Sequence, residues 1–321
     1  MRKLAVLVPL AALGVVLSSV PLPAYSLGPG PARDVEPRIH VTGRTRYPSE
    51  GRFVLTSVSF ERLTAFEAVA AWLDPGLEVV PEAEILGPGG SEEESDRQAV
   101  SQMSESKIDA VSVVLADLVG YPEEHGSGVL VESVVPGCPA DGRLFPGDLI
   151  VEVAGEPIED LDEFNALVRD RAVGRPFRIR VEAGGQTERV RLSVARCAGS
   201  HRPLIGVLPV ENFPFDVSIE SGEIGGPSAG LMWALGLYDL LTPDDVTGGR
   251  TVAGTGTIDL DGAVGPVGGV QHKIRAAERA GADLFLVPEG NLAEARDVGA
   301  EIRLVAVSSF AEALGALGTA A

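Results

Sequence analysis

Two side chains in this sequence are of types that could make and break acyl bonds together, Ser228 and Lys273. Ser228 stands in Gly225-Gly226-Pro227-Ser228-Ala229-Gly230, a run that ends a loop and opens an apolar helix. Pro227 suits the first helical position, and the small neighbours let a substrate backbone approach the hydroxyl. A serine at a helix start lies beside backbone N–H groups and the positive end of the helix dipole, the ingredients of an oxyanion hole. The same placement also serves an ordinary helix cap, so the serine alone does not decide.

Lys273 follows the glycine-rich run Gly265-Pro266-Val267-Gly268-Gly269 within Val270-Gln271-His272-Lys273-Ile274. Composition singles it out. Of 26 basic residues only Lys3, Lys107 and Lys273 are lysines, and the other 23 are arginines. A solvated positive charge could equally be arginine in such a chain. A general base could not, because guanidinium keeps its proton. In the first turn of a helix, behind an apolar loop, desolvation and the helix dipole both favour the neutral amine. A neutral amine beside a serine hydroxyl is a base–nucleophile pair for acyl transfer.

The elements that must position these residues alternate between strand and helix. The run from Ile39 to Phe60 reads as strand, Ala65–Trp72 as helix, and Gln98–Leu118 as a longer helix with Met103, Ile108, Val111, Val114 and Leu115 in an apolar stripe. Between the helices, Gly87-Pro88-Gly89-Gly90 and the acidic run Ser91-Glu92-Glu93-Glu94 read as a solvated loop. After residue 199 the expectation is a strand at Asp216–Ile219 and an apolar helix at Ser228–Leu241. An extended Thr251–Leu260, a helix Gln271–Ala280, a buried strand Leu284–Val287 and a helix Phe310–Leu317 follow.

The middle of the chain has a different texture. Val129–Val135 and Leu149–Val153 read as strands and Leu161–Arg169 as an amphipathic helix. Phe177–Glu182 and Glu188–Val194 form a hairpin across Gly184-Gly185. Gly128-Val129-Leu130-Val131, Pro136-Gly137-Cys138-Pro139-Ala140 and Leu144-Phe145-Pro146-Gly147-Asp148-Leu149-Ile150-Val151-Glu152-Val153-Ala154-Gly155 together resemble a PDZ domain. The usual Gly-Leu-Gly-Phe carboxylate loop is absent, and His125-Gly126-Ser127-Gly128 stands nearby. The resemblance therefore puts peptide binding, by strand addition, on Gly126, Ser127, Gly128, Val129, Leu130 and Val131.

The two chemical motifs resemble the proteolytic domain of the Lon family, which uses a serine–lysine dyad. Gly226-Pro227-Ser228-Ala229-Gly230 matches the nucleophile and Gly268-Gly269-Val270-Gln271-His272-Lys273 the base. Gly254-Thr255-Gly256-Thr257-Ile258-Asp259-Leu260-Asp261-Gly262 is similar to the connecting strand and turn, with Thr255 at a lysine-supporting position. Gly225 stands where many members have aspartate. Ser101–Ala110 is similar to the first helix of the same domain. The resemblance implies an α+β fold, a Lon-type proteolytic domain split by an inserted PDZ-like small β-barrel domain. The parts expected are an N-terminal hydrophobic segment at 1–27, a first peptidase part at 28–120, the PDZ domain at 121–198 and the catalytic part at 199–321. The implied chemistry has Ser228 and Lys273 as catalytic residues, Thr255 supporting the amine, and N–H groups around Gly226, Pro227 and Ser228 holding the oxyanion. The implied substrates are proteins or peptides, and family behaviour allows a homo-oligomer.

Gly226-x-Ser228-x-Gly230 also fits the nucleophile elbow of α/β-hydrolases. That fold needs a strand running straight into the serine and a later acid and histidine. The strand expected here ends near Ile219, and the only later histidine, His272, adjoins Lys273. A rival of another class is a non-catalytic scaffold for the PDZ module, which the joint presence of Ser228, Lys273 and Thr255 argues against.

Charge bounds the remaining functions. A net charge of −20 disfavours a nucleic-acid partner. No Gly-x-x-x-x-Gly-Lys-Ser/Thr loop is present to cradle nucleotide phosphates, and four His and two Cys are too scattered for a zinc site. The chemistry is therefore expected to need no cofactor, metal or nucleotide. At the N-terminus, Arg2 and Lys3 precede the uncharged apolar run Leu4–Val20, and Ala24-Tyr25-Ser26 is a passable cleavage site. The expectation is a single membrane-spanning anchor with the domains outside the cytoplasm, or a cleaved signal with secretion. Such an exterior permits a disulfide between Cys138 and Cys197, two buried thiols being the alternative.

Overall fold

In the computed structural model, which describes residues 18–74, 76–87, 89–197 and 202–318, the chain enters on a long strand, β1 (Pro21–Asp34). This corrects the expected N-terminal segment. Residues 1–17 lie outside the described residues, whereas residues 21–27 are strand, with Tyr25 and Ser26 buried. No helix among the described residues is long and apolar enough to cross a membrane. The strand is hidden in the sequence by its four prolines, which cannot donate to a ladder. Two irregularities in the pairing absorb them, between Pro21 and Tyr25 and between Pro29 and Ala32.

A short strand β2 (Ile39–Val41) precedes β3 (Arg52–Thr64), which pairs antiparallel with β1. Helix α1 (Ala65–Leu73) starts on a capping box in which Thr64 and Glu67 satisfy each other's backbone N–H groups. Strand β4 (Glu78–Pro81) then covers the other edge of β1. The acidic run expected as a loop is instead the first turn of α2 (Glu92–Val119). Ser91 caps it by accepting from the Glu94 N–H, and Glu92, Glu93 and Glu94 sit at the positive end of the helix dipole.

The middle unit contains β5 (Gly126–Val134), β6 (Leu149–Val153), α3 (Leu161–Arg169), β7 (Pro176–Ala183) and β8 (Gln186–Ser193). The hairpin joining β7 to β8 turns on Gly184 and Gly185, both at positive φ, as a primed turn demands. A further strand, β9 (Val207–Asn212), completes the sheet in the order β9–β5–β6–β7–β8, so the unit runs past residue 198. Val129, Val131, Ile150, Phe164, Ile179 and Leu192 are among its own core. Cys138 and Cys197 are joined as a disulfide, which settles the open alternative. Its sequence separation of 59 makes the closed loop long enough for chain entropy to contribute about 4 kcal/mol. Reduction, or Cys138→Ser with Cys197→Ser, is expected to remove about 2–4 kcal/mol from this unit, read as an earlier urea midpoint.

The chain then returns to the first unit through β10 (Val217–Ile219), which pairs with β2. Helix α4 (Gly230–Leu241) is apolar apart from Tyr238 and a buried Asp239, and accordingly lies in the centre of the main core, with Leu231, Met232, Trp233 and Leu235 fully buried. Strand β11 (Thr251–Gly254), the small ladder of β12 (Thr257–Ile258) with β13 (Val264–Gly265), and α5 (Val270–Arg279) follow. Strand β14 (Leu284–Pro288), α6 (Leu292–Asp297), β15 (Arg303–Val307) and α7 (Phe310–Leu317) end the described chain. The large sheet has the order β15–β14–β11–β3–β1–β4. Since β11 pairs in parallel with β3, segments from both sides of the middle unit build one sheet, and the middle unit is an insertion.

Candidate active site

Three segments far apart in sequence meet at Ser228. The first is the loop between β10 and α4. Gly226 takes a left-handed φ of +80°, and the chain turns through Pro227 to Gly230, whose N–H donates to the Pro227 carbonyl at 3.3 Å. The helix begins at Gly230 with Ala229 as its cap residue, so Pro227 is not the first helical position that the sequence suggests. Ser228 lies just ahead of the helix.

Helix α2 braces this loop. The Gly226 N–H donates to the Ala99 carbonyl at 2.8 Å, and the Ser106 hydroxyl donates to the Pro227 carbonyl at 3.0 Å. A Cβ on Gly225 would stand 2.8 Å from the Ala99 Cβ, so α2 leaves no room for an aspartate there. A Cβ on Gly230 would stand 2.6 Å from the Ser106 Oγ. Gly230→Ala is therefore expected to push α4 off α2 and cut any turnover at Ser228 by about 100-fold through a small misplacement of that hydroxyl. Circular dichroism and kcat measured together would separate this from global unfolding.

The second segment follows β11. Thr255 is fully buried; its hydroxyl donates to the Ser228 carbonyl at 2.9 Å, and the Gly256 N–H donates to the same oxygen at 2.9 Å. The third is the first turn of α5, whose cap residue Gly269 is left-handed at φ +66°. Lys273 is only 3% exposed, and its Nζ lies 2.7 Å from the Ser228 Oγ and 3.0 Å from the Thr255 Oγ1. Burial pulls its ammonium from the ordinary lysine range to about 8. His272 is turned elsewhere: its Nε2 lies 3.6 Å from the Glu78 Oε2, which also accepts from the Gln271 side chain at 3.2 Å. The hydrolase elbow therefore lacks its histidine.

Ser228, Lys273 and Thr255 thus converge as the sequence suggests. Among the expected oxyanion donors, Pro227 has no N–H and Gly226 has committed its own to Ala99. The N–H groups of Ser228 and Ala229 donate to no carbonyl among the described residues. Ser106 escaped the sequence reading. Its apolar neighbours Met103, Ile108 and Val111 read as a stripe, and a serine three residues after Met103, on the same helix face, is the available signal.

The peptide edge needs correction. Residues Gly126, Ser127, Gly128, Val129, Leu130 and Val131 lie on β5, an interior strand. Val129 and Leu130 face Ile150 and Leu149 on one side, and Glu211 and Val210 on the other. No ladder position there is left for an added strand. The edge strands of this sheet are β8 and β9; of the two, β9 packs beside α3 and is tied to it where the Glu211 carboxylate accepts from the Leu161 N–H. Leu204-Ile205-Gly206-Val207 leads into β9, an apolar–apolar–Gly–apolar run of the kind sought upstream. Gly206 is left-handed at φ +88°, its carbonyl accepts from the Val135 N–H, and a Cβ on it would overlap the Cys138 side chain. The disulfide therefore packs against this turn.

Comparison with known proteins agrees with both halves of the architecture. Residues 215–317 match the Lon protease (S16) C-terminal proteolytic domain, and residues 130–182 match a PDZ domain. Each match covers part of the chain, the Lon-type match the part after the middle unit and the PDZ match the middle unit itself. The Lon protease of Desulfosudis oleivorans is 36% identical over 107 residues, 33% of this chain and 13% of that protein. Lon protease 2 of Bacillus subtilis is 32% identical over 171 residues, 52% of this chain and 29% of that protein. The chain thus spans less than a third of the length of these two relatives. The crystal structure of the PDZ domain of the SdrC-like protein from Listeria monocytogenes is 30% identical, with a TM-score of 0.25, and covers 26% of this chain and 88% of that one.

Proposed function

We propose that the chain is an ATP-independent serine endopeptidase of the extracytoplasmic space, with Ser228 as nucleophile and Lys273 as general base. The observation that carries this reading is the 2.7 Å approach of a buried lysine amine to the Ser228 hydroxyl. Thr255 sets the direction of proton transfer. Its O–H is spent on the Ser228 carbonyl, so it can only accept from Lys273. An amine hydrogen then points at Thr255, and the lone pair of the neutral amine is left for the Ser228 O–H. Ser228 Oγ attacks the peptide carbonyl as its proton passes to Nζ, and the ammonium returns that proton to the leaving amine. The N–H groups of Ser228 and Ala229, which donate to no carbonyl among the described residues, hold the oxyanion. Water then hydrolyses the acyl-enzyme with the same amine as base.

The PDZ unit supplies peptide capture, with an extended segment adding to the open edge of β9 beside α3. The disulfide and the apolar N-terminal run support a location outside the cytoplasm, anchored by that run. The sequence has no nucleotide-binding loop, which supports turnover without ATP. The deciding experiment follows hydrolysis of unfolded casein together with covalent labelling by a fluorophosphonate. Both are expected from the intact chain, neither from Ser228→Ala, and the rate is expected to ignore added ATP or apyrase. Turnover that persisted in Ser228→Ala, or that required ATP, would overturn the reading.

A further inference from the structure

Helix α1 is built inside out. Its small residues Ala68 and Ala71 face the protein, while Phe66, Val69, Trp72 and Leu73 are 60 to 79% exposed. At 100° per residue these four form one continuous stripe along the helix. The only charge on α1 is Glu67, and the capping box at Thr64 occupies it. A stripe of this size with two aromatic residues needs a cover, since soluble surfaces scatter such side chains singly.

The path of the chain says what covers it. The uncharged run Leu4–Val20 ends at an exposed Val20, and the next residue, Pro21, lies directly across the ladder from Thr64, the cap residue of α1. The described end of the apolar run and the start of the apolar helix therefore lie side by side. Whatever solvent takes up the run also meets the helix.

We infer that α1 is an interfacial helix that lies in the surface of the lipid bilayer and seats the peptidase domain on the membrane, and this rests on the reading of Leu4–Val20 as an anchor. Phe66, Val69 and Leu73 enter the acyl boundary, and Trp72 takes the headgroup depth that amphipathic aromatic rings favour. A chain of net charge −20 gains nothing from anionic headgroups, so the seating is apolar and independent of salt. The anchor fixes the distance to the membrane, and α1 fixes the tilt at which the active site and the β9 groove face outward.

The chain carries its own reporter. It has two tryptophans, and Trp233 is fully buried, so the difference between the intact chain and Trp72→Phe isolates the Trp72 emission. The full chain is reconstituted in phosphatidylcholine vesicles with and without brominated acyl chains, and floated on a density gradient. The expected result is flotation, loss of Trp72 emission in brominated vesicles, protection of Trp72 from aqueous iodide, and no change in either between low and high salt. Flotation with Trp72 open to iodide and indifferent to bromine would overturn the inference while leaving the anchor intact. Protection from both quenchers would overturn it in favour of a second copy, or of the N-terminal run folded onto the helix. A chain that does not float removes the anchor reading and the inference with it. A Phe66→Ser/Val69→Ser/Leu73→Ser variant is expected to float still and to regain iodide quenching of Trp72.

Discussion

Peptidase activity is expected to rise about tenfold per pH unit up to pH 8 and then level off, because the base must be the neutral amine. Burial holds Lys273 at about 8, so below that pH the fraction of neutral amine falls with each added proton. The pH dependence of kcat/KM reports the free enzyme, so its inflection should lie near 8 for any unfolded protein substrate. Lys273→Met keeps the length of the side chain and removes the base, and its expected loss is about 10²–10⁴-fold at pH 8. The residual activity should no longer rise through pH 8. A flat profile in the intact chain, or an inflection near 6.5 that survives Lys273→Met, would move the role of base to another group.

Parts of this structure are legible in the sequence because their signals are local. Leu161–Arg169 and Phe310–Leu317 are helices at the bounds their periodicity predicts, because an amphipathic face and a capping side chain are local signals. Lys273 stands out beside Ser228 for a chemical reason, the scarcity of lysine, and Thr255 through the Lon resemblance. What escaped depends on pairing across long separations. β9 belongs to the PDZ sheet only because it meets β5, some 80 residues earlier, and nothing in Val207–Asn212 itself names that partner. Four prolines disguised β1, whose irregular register no local pattern discloses. Glu92, Glu93 and Glu94 read as a solvated run until Ser91 is seen to cap a helix behind them, where the same charges favour the first turn. In each case tertiary or terminal context reverses what the local composition implies.

The same variant that silences the site is expected to make the protein more stable. In the unfolded chain Lys273 ionises at the ordinary 10.5, and in the folded chain at about 8. A lysine lowered by folding acts in the opposite sense to one that gains a partner. Below pH 8 the amine is protonated in both states, and the folded state bears the whole cost of a buried ammonium. At about 1.4 kcal/mol per unit, that cost is about 3 kcal/mol. Between 8 and 10.5 the unfolded state binds more protons than the folded state, so stability rises with pH and the cost fades. Methionine in the same slot carries no charge to desolvate. It strands no donor either, because the Thr255 hydroxyl keeps its bond to the Ser228 carbonyl. Urea denaturation should therefore show Lys273→Met more stable than the intact chain by about 2–3 kcal/mol at pH 7, and by little near pH 10.5. A gain that stayed constant across this range would mean that packing, not the buried charge, separates the two proteins. A gain that fades with pH would make the destabilised amine itself the source of basicity, stability given up where Ser228 needs a proton acceptor.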